Sequence, residues 1–196
     1  MITPEIISGR LGNKMFQIAY LYAQMQDGVI PDIFVQDPKY FEKHEPAIKQ
    51  LFGEGIGYLG QVGVHVRRGK NPIDPKEPAY SENPFYVNLS TTDYYQRAMA
   101  MFPGQDFLIF SDDPEWCMEH FKGDNIQVMD KRDEIEDLNL FASTKHQIIA
   151  NSSWSWWAAY LSNNEGKKVI CPREDEWYSD GQVRTKVPSD WIQVKL

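Results

Sequence analysis

Four short stretches carry the groups that could do chemistry: Gly9-Arg10-Leu11-Gly12-Asn13, Arg67-Arg68-Gly69, Ser111-Asp112-Asp113 and Asn151-Ser152-Ser153. Arginine forks, hydroxyls and the free amides of a helix start are the groups that hold an oxyanion. Each stretch also has a structural reading. Adjacent arginines at a strand end can be surface residues paired with carboxylates. Asp113 reads as a helix cap rather than an acid catalyst, and Asn151-Ser152-Ser153 can cap the helix behind it. His65, inside a strand, fits a satisfied structural histidine. What favours an anion site is that all four stretches follow apolar runs that read as strands.

Those runs are the elements that must position the rim. Short apolar segments alternate with helix-like ones, the pattern of parallel strands joined by crossover helices, so the expected fold class is α/β with a Rossmann-like parallel sheet. Ile6-Ile7 opens it weakly, and the helix behind its turn places Met15, Phe16, Ala19, Tyr20 and Ala23 on one stripe. Next comes Val62 to Arg67, with Val62, Val64 and Val66 on one face and Gly63, His65 and Arg67 on the other. Phe107 to Phe110, Ile126 to Met129, Ile148 to Ala150 and Val169 to Cys171 complete the series. Ser90-Thr91-Thr92-Asp93 has the spacing of a capping box, and Asp113-Pro114 that of an N-cap with proline at the first helical position. The stretch from Gly69 to Ser90 holds four prolines (Pro72, Pro75, Pro78, Pro84) and reads as a lid, a binding loop or a disordered segment. Four glycines between Gly53 and Gly60 suggest a boundary there: a small lobe over residues 1–60 and a larger one over 61–196.

In such sheets ligands bind beyond the carboxyl ends of the strands. The expected site is therefore a phosphate-binding rim, suited to a diphosphate. Trp154, Trp156 and Trp157 cannot share one direction at their spacing, so they read as core and lobe contacts rather than a sugar platform.

Composition narrows the classes. A net charge of -8 disfavours a nucleic-acid partner, since polyanion binding needs a basic surface. Cys117 and Cys171 stand alone, without a CxxC pair or a nearby histidine, which argues against a zinc site and a disulfide framework. No basic region leads a long apolar run at the N-terminus, and no window reaches the length of a membrane span. A cytoplasmic location is expected, and the acceptor-like Asn88-Leu89-Ser90 reads as chance.

Together the segments resemble the alpha-1,2-fucosyltransferases of glycosyltransferase family eleven. "GRLGNKMFQIAY" is similar to that family's opening motif, "QDPKYF" with "IKQLF" to its middle segment, and "HVRRGK" to H-x-R-R-G-D. "FLIFSDDPEW" is similar to F-S-D-D-x-x-W, and "HQIIANSSWSWWAAYL" to I-x-A-N-S-S-F-S-W-W-x-A-Y-L. The resemblance implies a GT-B-type fold of two facing Rossmann-like lobes, with the nucleotide on the C-terminal lobe. It also implies inverting transfer of L-fucose from GDP-fucose to a sugar hydroxyl without a metal or other cofactor. On this resemblance His65 and Arg67 contact guanine and the β-phosphate, Asp137 reads the guanine edge, and Asn151, Ser152 and Ser153 form the phosphate turn. Arg10 and Asn13 face the transferred sugar and join Arg67 as catalytic candidates. Arg68 belongs to the binding motif, as a brace for it.

Two departures stand out. Lys70 occupies the position of the family's aspartate, with Asp74 and Glu77 the nearby carboxylates that could replace it. The segment between the opening helix and "QDPKYF" is short, only Gln24 to Val35, which implies a strongly reduced N-terminal lobe. A homo-oligomer that rebuilds the cleft is one consequence, and a GDP-sugar-binding protein without catalysis is the alternative reading.

Overall fold

A computed structural model describes residues 9–27, 36–53, 59–69, 76 and 78–196. Ile6-Ile7, Lys70, Asp74 and Glu77 lie outside the described residues.

Six strands form one parallel sheet: β1 (Leu59–Val66), β2 (Phe107–Ser111), β3 (Ile126–Val128), β4 (Thr144–Ile148), β5 (Val169–Pro172) and β6 (Ile192–Val194). Their spatial order is β3-β2-β1-β4-β5-β6. That is the doubly wound Rossmann order, in which the chain reverses direction between the first and fourth strands. The helices are α1 (Leu11–Asp27), α2 (Glu45–Phe52), α3 (Tyr94–Ala100), α4 (Pro114–His120), α5 (Glu134–Ala142) and α6 (Ser153–Leu161).

Each face of the sheet has its own core because strand side chains alternate. Val62, Val64, Val66, Ile109, Ile148 and Ile170 pack against Tyr94 and Tyr95 of α3 and Cys117 of α4. On the opposite face Phe110, Ile149 and Cys171 meet Phe141 of α5, Trp156 and Trp157 of α6, and Phe16 of α1. The α1 stripe is buried at Met15, Phe16, Ala19 and Ala23, with Tyr20 at its edge. Trp156 and Trp157 are fully buried, and Phe41 stacks on Trp157 at 5.4 Å.

Three elements differ from expectation. The strand expected at Ile148 to Ala150 begins four residues earlier, because Thr144 and Gln147 hide their polarity locally: Gln147 Nε2 donates to the Thr144 carbonyl at 2.7 Å. Strand β6 was not anticipated, since a three-residue strand with two exposed positions carries little pattern. The capping box does not form. Ser90 sits in a 3-10 turn, and Thr92 Oγ1 instead accepts from the Tyr94 N–H at 3.2 Å. Asp113 does cap α4, accepting from Trp116 N with Pro114 at the first turn.

Candidate functional site

The carboxyl edge of the sheet opens into a cleft of about 760 Å³ at the switch point between β1 and β4. Two helix N-termini meet there. Gly12 of α1 packs so tightly on α6 that a Cβ would lie 2.5 Å from the Ser153 carbonyl carbon and 2.6 Å from Trp154 N. Only glycine allows that approach, which brings both helix starts, with their unpaired N–H groups and positive dipole ends, to one place.

Arg67 leaves β1 into the cleft, paired with Asp112 at the end of β2 and lying 4.9 Å over the Tyr80 ring. Asp112 also accepts from Arg68 N at 2.8 Å, which fixes the turn. Gly69 lets that turn form, since a Cβ would meet the Asp112 carbonyl at 2.8 Å. The loop beyond folds back onto it through Tyr80 N to Gly69 O at 3.0 Å and Ser81 N to Arg68 O at 3.1 Å. Arg68 is not part of the cleft lining. Its guanidinium bonds Asp113 at 3.3 Å and Ser90 Oγ, and lies 4.0 Å over Trp116. Both arginines thus have carboxylate partners, but only Arg67 also faces the opening.

His65 is buried against Trp154, with ring centroids 4.7 Å apart, and its Nδ1 has no hydrogen-bond partner among the described residues. Burial, then the charges of Arg67 and Arg10, hold its imidazole well below the ordinary value, so the ring is neutral at pH 7. Asp137 lines the same side of the cleft and pairs with Arg132 at 3.5 Å.

Of the Asn151-Ser152-Ser153 turn, Asn151 is committed elsewhere. Its Nδ2 donates to the carbonyls of Val87 (2.8 Å) and Trp177 (2.9 Å), tying two loops together. Ser152 occupies the N-cap of α6 yet makes no side-chain capping bond. Ser153 Oγ donates to Asn13 Oδ1 at 2.8 Å. Arg10, at the start of α1, stands 3.5 Å from Glu134 of α5.

The structure therefore gathers Arg10, Asn13, His65, Arg67, Asp137, Asn151, Ser152 and Ser153 around one cleft and leaves Arg68 behind it. Sequence reading missed Gln36, Trp154 and the Tyr86–Tyr178 wall. Gln36 Nε2 donates to Asn13 at 2.9 Å while its Oε1 accepts from Thr185 at 2.8 Å, a link across 149 residues with no local signal. Trp154 was read with its neighbours as core, but it is the one of the three that turns into the cleft. Among the described residues no group of three His, Cys, Asp or Glu side chains could hold a metal ion, and no helix is long and apolar enough to cross a membrane.

Comparison with known proteins agrees with this architecture. The Glycosyl transferase family 11 description matches residues 34–195. The chain is similar to an alpha-1,2-colitosyltransferase of Escherichia coli, 26% identical over 83% of this chain and 61% of the relative. It is also similar to the O-antigen biosynthesis glycosyltransferase WbnK of Escherichia coli, 30% identical over 87% of this chain and 62% of the relative. A galactoside alpha-(1,2)-fucosyltransferase 1 of Leontopithecus chrysomelas is 29% identical over 53% of this chain and 29% of its own length. No solved structure matches. The chain spans about three fifths of the length of the two bacterial relatives. With a family match covering most of the chain on a Rossmann-ordered parallel sheet, the protein is a member of glycosyl transferase family 11.

Proposed function

We propose that the protein transfers L-fucose from GDP-fucose to a sugar hydroxyl with inversion, and without a metal ion. One observation carries the reading: Arg67, Ser152, Ser153 and two helix starts surround a single cleft beside a neutral His65 and the carboxylate of Asp137. Guanine offers N–H donors to a carboxylate and an acceptor edge to an imidazole N–H. Arg67 and the α6 N-terminus then face the diphosphate.

In the transfer the acceptor oxygen bonds the anomeric carbon as the bond from that carbon to the β-phosphate oxygen breaks, and the acceptor hydroxyl proton is released. Positive charge builds on the sugar while negative charge collects on the departing GDP. A fixed guanidinium, the Ser152 hydroxyl and helix amides stabilise the second charge without reorganising, the task a metal ion performs elsewhere. Asp112 holds Arg67 in place for this. Asn13 offers its amide hydrogens toward the transferred sugar, because its Oδ1 already accepts from Gln36 and Ser153. On this reading residues 61–196 form the nucleotide lobe.

Calorimetry with GDP and with GDP-fucose tests the donor assignment, and saturable binding of both is expected. Absence of GDP binding overturns it. Product formation from GDP-fucose and a panel of galactosides tests transfer. Tight GDP binding with no product supports a binding protein without catalysis. Because one relative is named for colitosyl transfer, the donor panel should include a GDP-colitose arm.

A further inference from the structure

The sheet order divides the cleft. Residues after β2 and β3 (Asp112, Lys131, Arg132) and Asp137 of α5 line one side, where charge predominates. Residues before α3 and after β5 line the other, where aromatic rings predominate: Tyr80, Phe85, Tyr86 and Tyr178. This aromatic wall is built rather than incidental. Tyr80 and Tyr86 stack at 4.3 Å, and Phe85 presents its edge to Tyr86 at 5.0 Å and to Tyr178 at 5.2 Å. Backbone bonds from Ser179 N to Phe85 O (3.0 Å) and from Val87 N to Trp177 O (3.3 Å) join the two segments. Arg184 lies 5.0 Å over both Phe85 and Tyr178, held by Asp180 at 2.7 and 2.8 Å.

Such a wall would ordinarily bury its rings, yet Phe85 is 44% exposed and Val183, in the same cleft lining, is 40% exposed. An exposed apolar surface rimmed by polar groups marks a ligand. We propose that this wall binds the acceptor saccharide, with the C–H face of a pyranose ring lying on Phe85. Arg184 at the rim would take its hydroxyls. The inference rests on the glycosyl-transfer reading, which places the base on the charged side and the diphosphate at the centre. A saccharide suits the remaining side because it has both an apolar ring face and a polar rim. A polyanion does not, since Arg184 is already neutralised by Asp180.

The test is Phe85→Ala, with Phe85→Tyr as the conservative variant, assayed with GDP-fucose and lactose. Phe85→Ala should raise the acceptor KM at least tenfold while the donor KM and the GDP dissociation constant stay within twofold, and Phe85→Tyr should restore the acceptor KM. An equal rise in donor KM would assign the wall to the nucleotide base and overturn the proposal, as would no change in either. Saturation-transfer NMR with a panel of galactosides reads the wall without turnover. Signal in the parent that is lost in Phe85→Ala supports the proposal even if GDP fails to bind. Equal signal in both proteins, or none in the parent, overturns it.

Discussion

Two hollows lie at opposite ends of α6, and both are lined by charged and polar side chains. The smaller, about 350 Å³, sits at the C-terminus of α6 among Glu45, Lys49, Tyr160, Asn163, Lys167 and Asp190. Its key charges are spent. Lys49 pairs with Glu45 at 2.8 Å and donates to Asn163 at 3.0 Å, while Lys167 caps the last turn by donating to the carbonyls of Ala159 and Ser162 at 2.6 and 2.5 Å. At the other end of the helix the cleft keeps groups in reserve: an N-cap serine without a capping bond, a buried imidazole nitrogen without a partner among the described residues, and helix amides facing the opening. Polar lining alone does not make a site. Donors that folding has left uncommitted do, and helix polarity decides that here they suit an anion.

The contrast can be broken most severely at Gly12. Gly12→Val drives side-chain carbon into the α6 backbone, so a loss of about 3 kcal/mol in urea denaturation is expected, together with at least a hundredfold weaker GDP binding by calorimetry. If α1 docking does not build the cleft, stability falls and GDP affinity does not. Next in size is the arginine pair. Arg67→Ala should weaken GDP binding about a hundredfold, the scale of a lost charge-assisted hydrogen bond pair. Arg68→Ala should cost about 1–3 kcal/mol of stability through Asp113, Ser90 and Trp116, with GDP affinity within threefold. Equal effects on GDP would erase the distinction between the two.

The two ends should also titrate differently. Burial, the larger cause at both, lowers the His65 imidazole well below 6.5 and pushes the Lys167 amine down to about 8. In each case the unfolded chain binds the proton more tightly, so stability rises with pH across the window between the folded and unfolded values. For His65 that window lies below 6.5, and stability is lost as pH falls through it. For Lys167 it runs from about 8 to 10.5, and the cost of the buried charge is relieved there as pH rises. Denaturation curves against pH should show a flatter acid limb in His65→Gln and a flatter alkaline limb in Lys167→Met. GDP affinity should be unchanged in the second. The smallest effect is expected at Ser152→Ala, about three- to tenfold in GDP affinity with no change in melting temperature, since the hydroxyl makes no capping bond to lose. A drop in melting temperature would return Ser152 to a structural role.

Legibility followed periodicity. The faces of β1 were readable because valine alternates there with Gly63, His65 and Arg67, and β2 because four apolar residues in a row are what a strand covered on both sides shows. The start of β4 was hidden by Thr144 and Gln147, polar residues that are bonded to one another inside the sheet. The rim could be anticipated because loops after parallel strands converge, and alternation along β1 set Arg67 on the face of His65, apart from Arg68. What no local pattern showed is the set of partners that holds Arg68 behind the cleft, Asp112 at its backbone and Asp113 and Trp116 at its guanidinium. Asn151 read as a phosphate ligand, yet the loops it ties lie 64 and 26 residues away.

By itself the sequence determined an α/β sheet of parallel strands and which residue types would stand at its carboxyl edge, since alternation and glycine turns are local properties. Only the tertiary structure decided which of those groups remain unspent, because hydrogen-bond partners are shared between segments far apart in the chain. The approach of Gly12 to Ser153 and the assembly of Phe85 with Tyr178 are such decisions, and they turn an apolar pattern with scattered polar letters into a cleft with a charged side and an aromatic one.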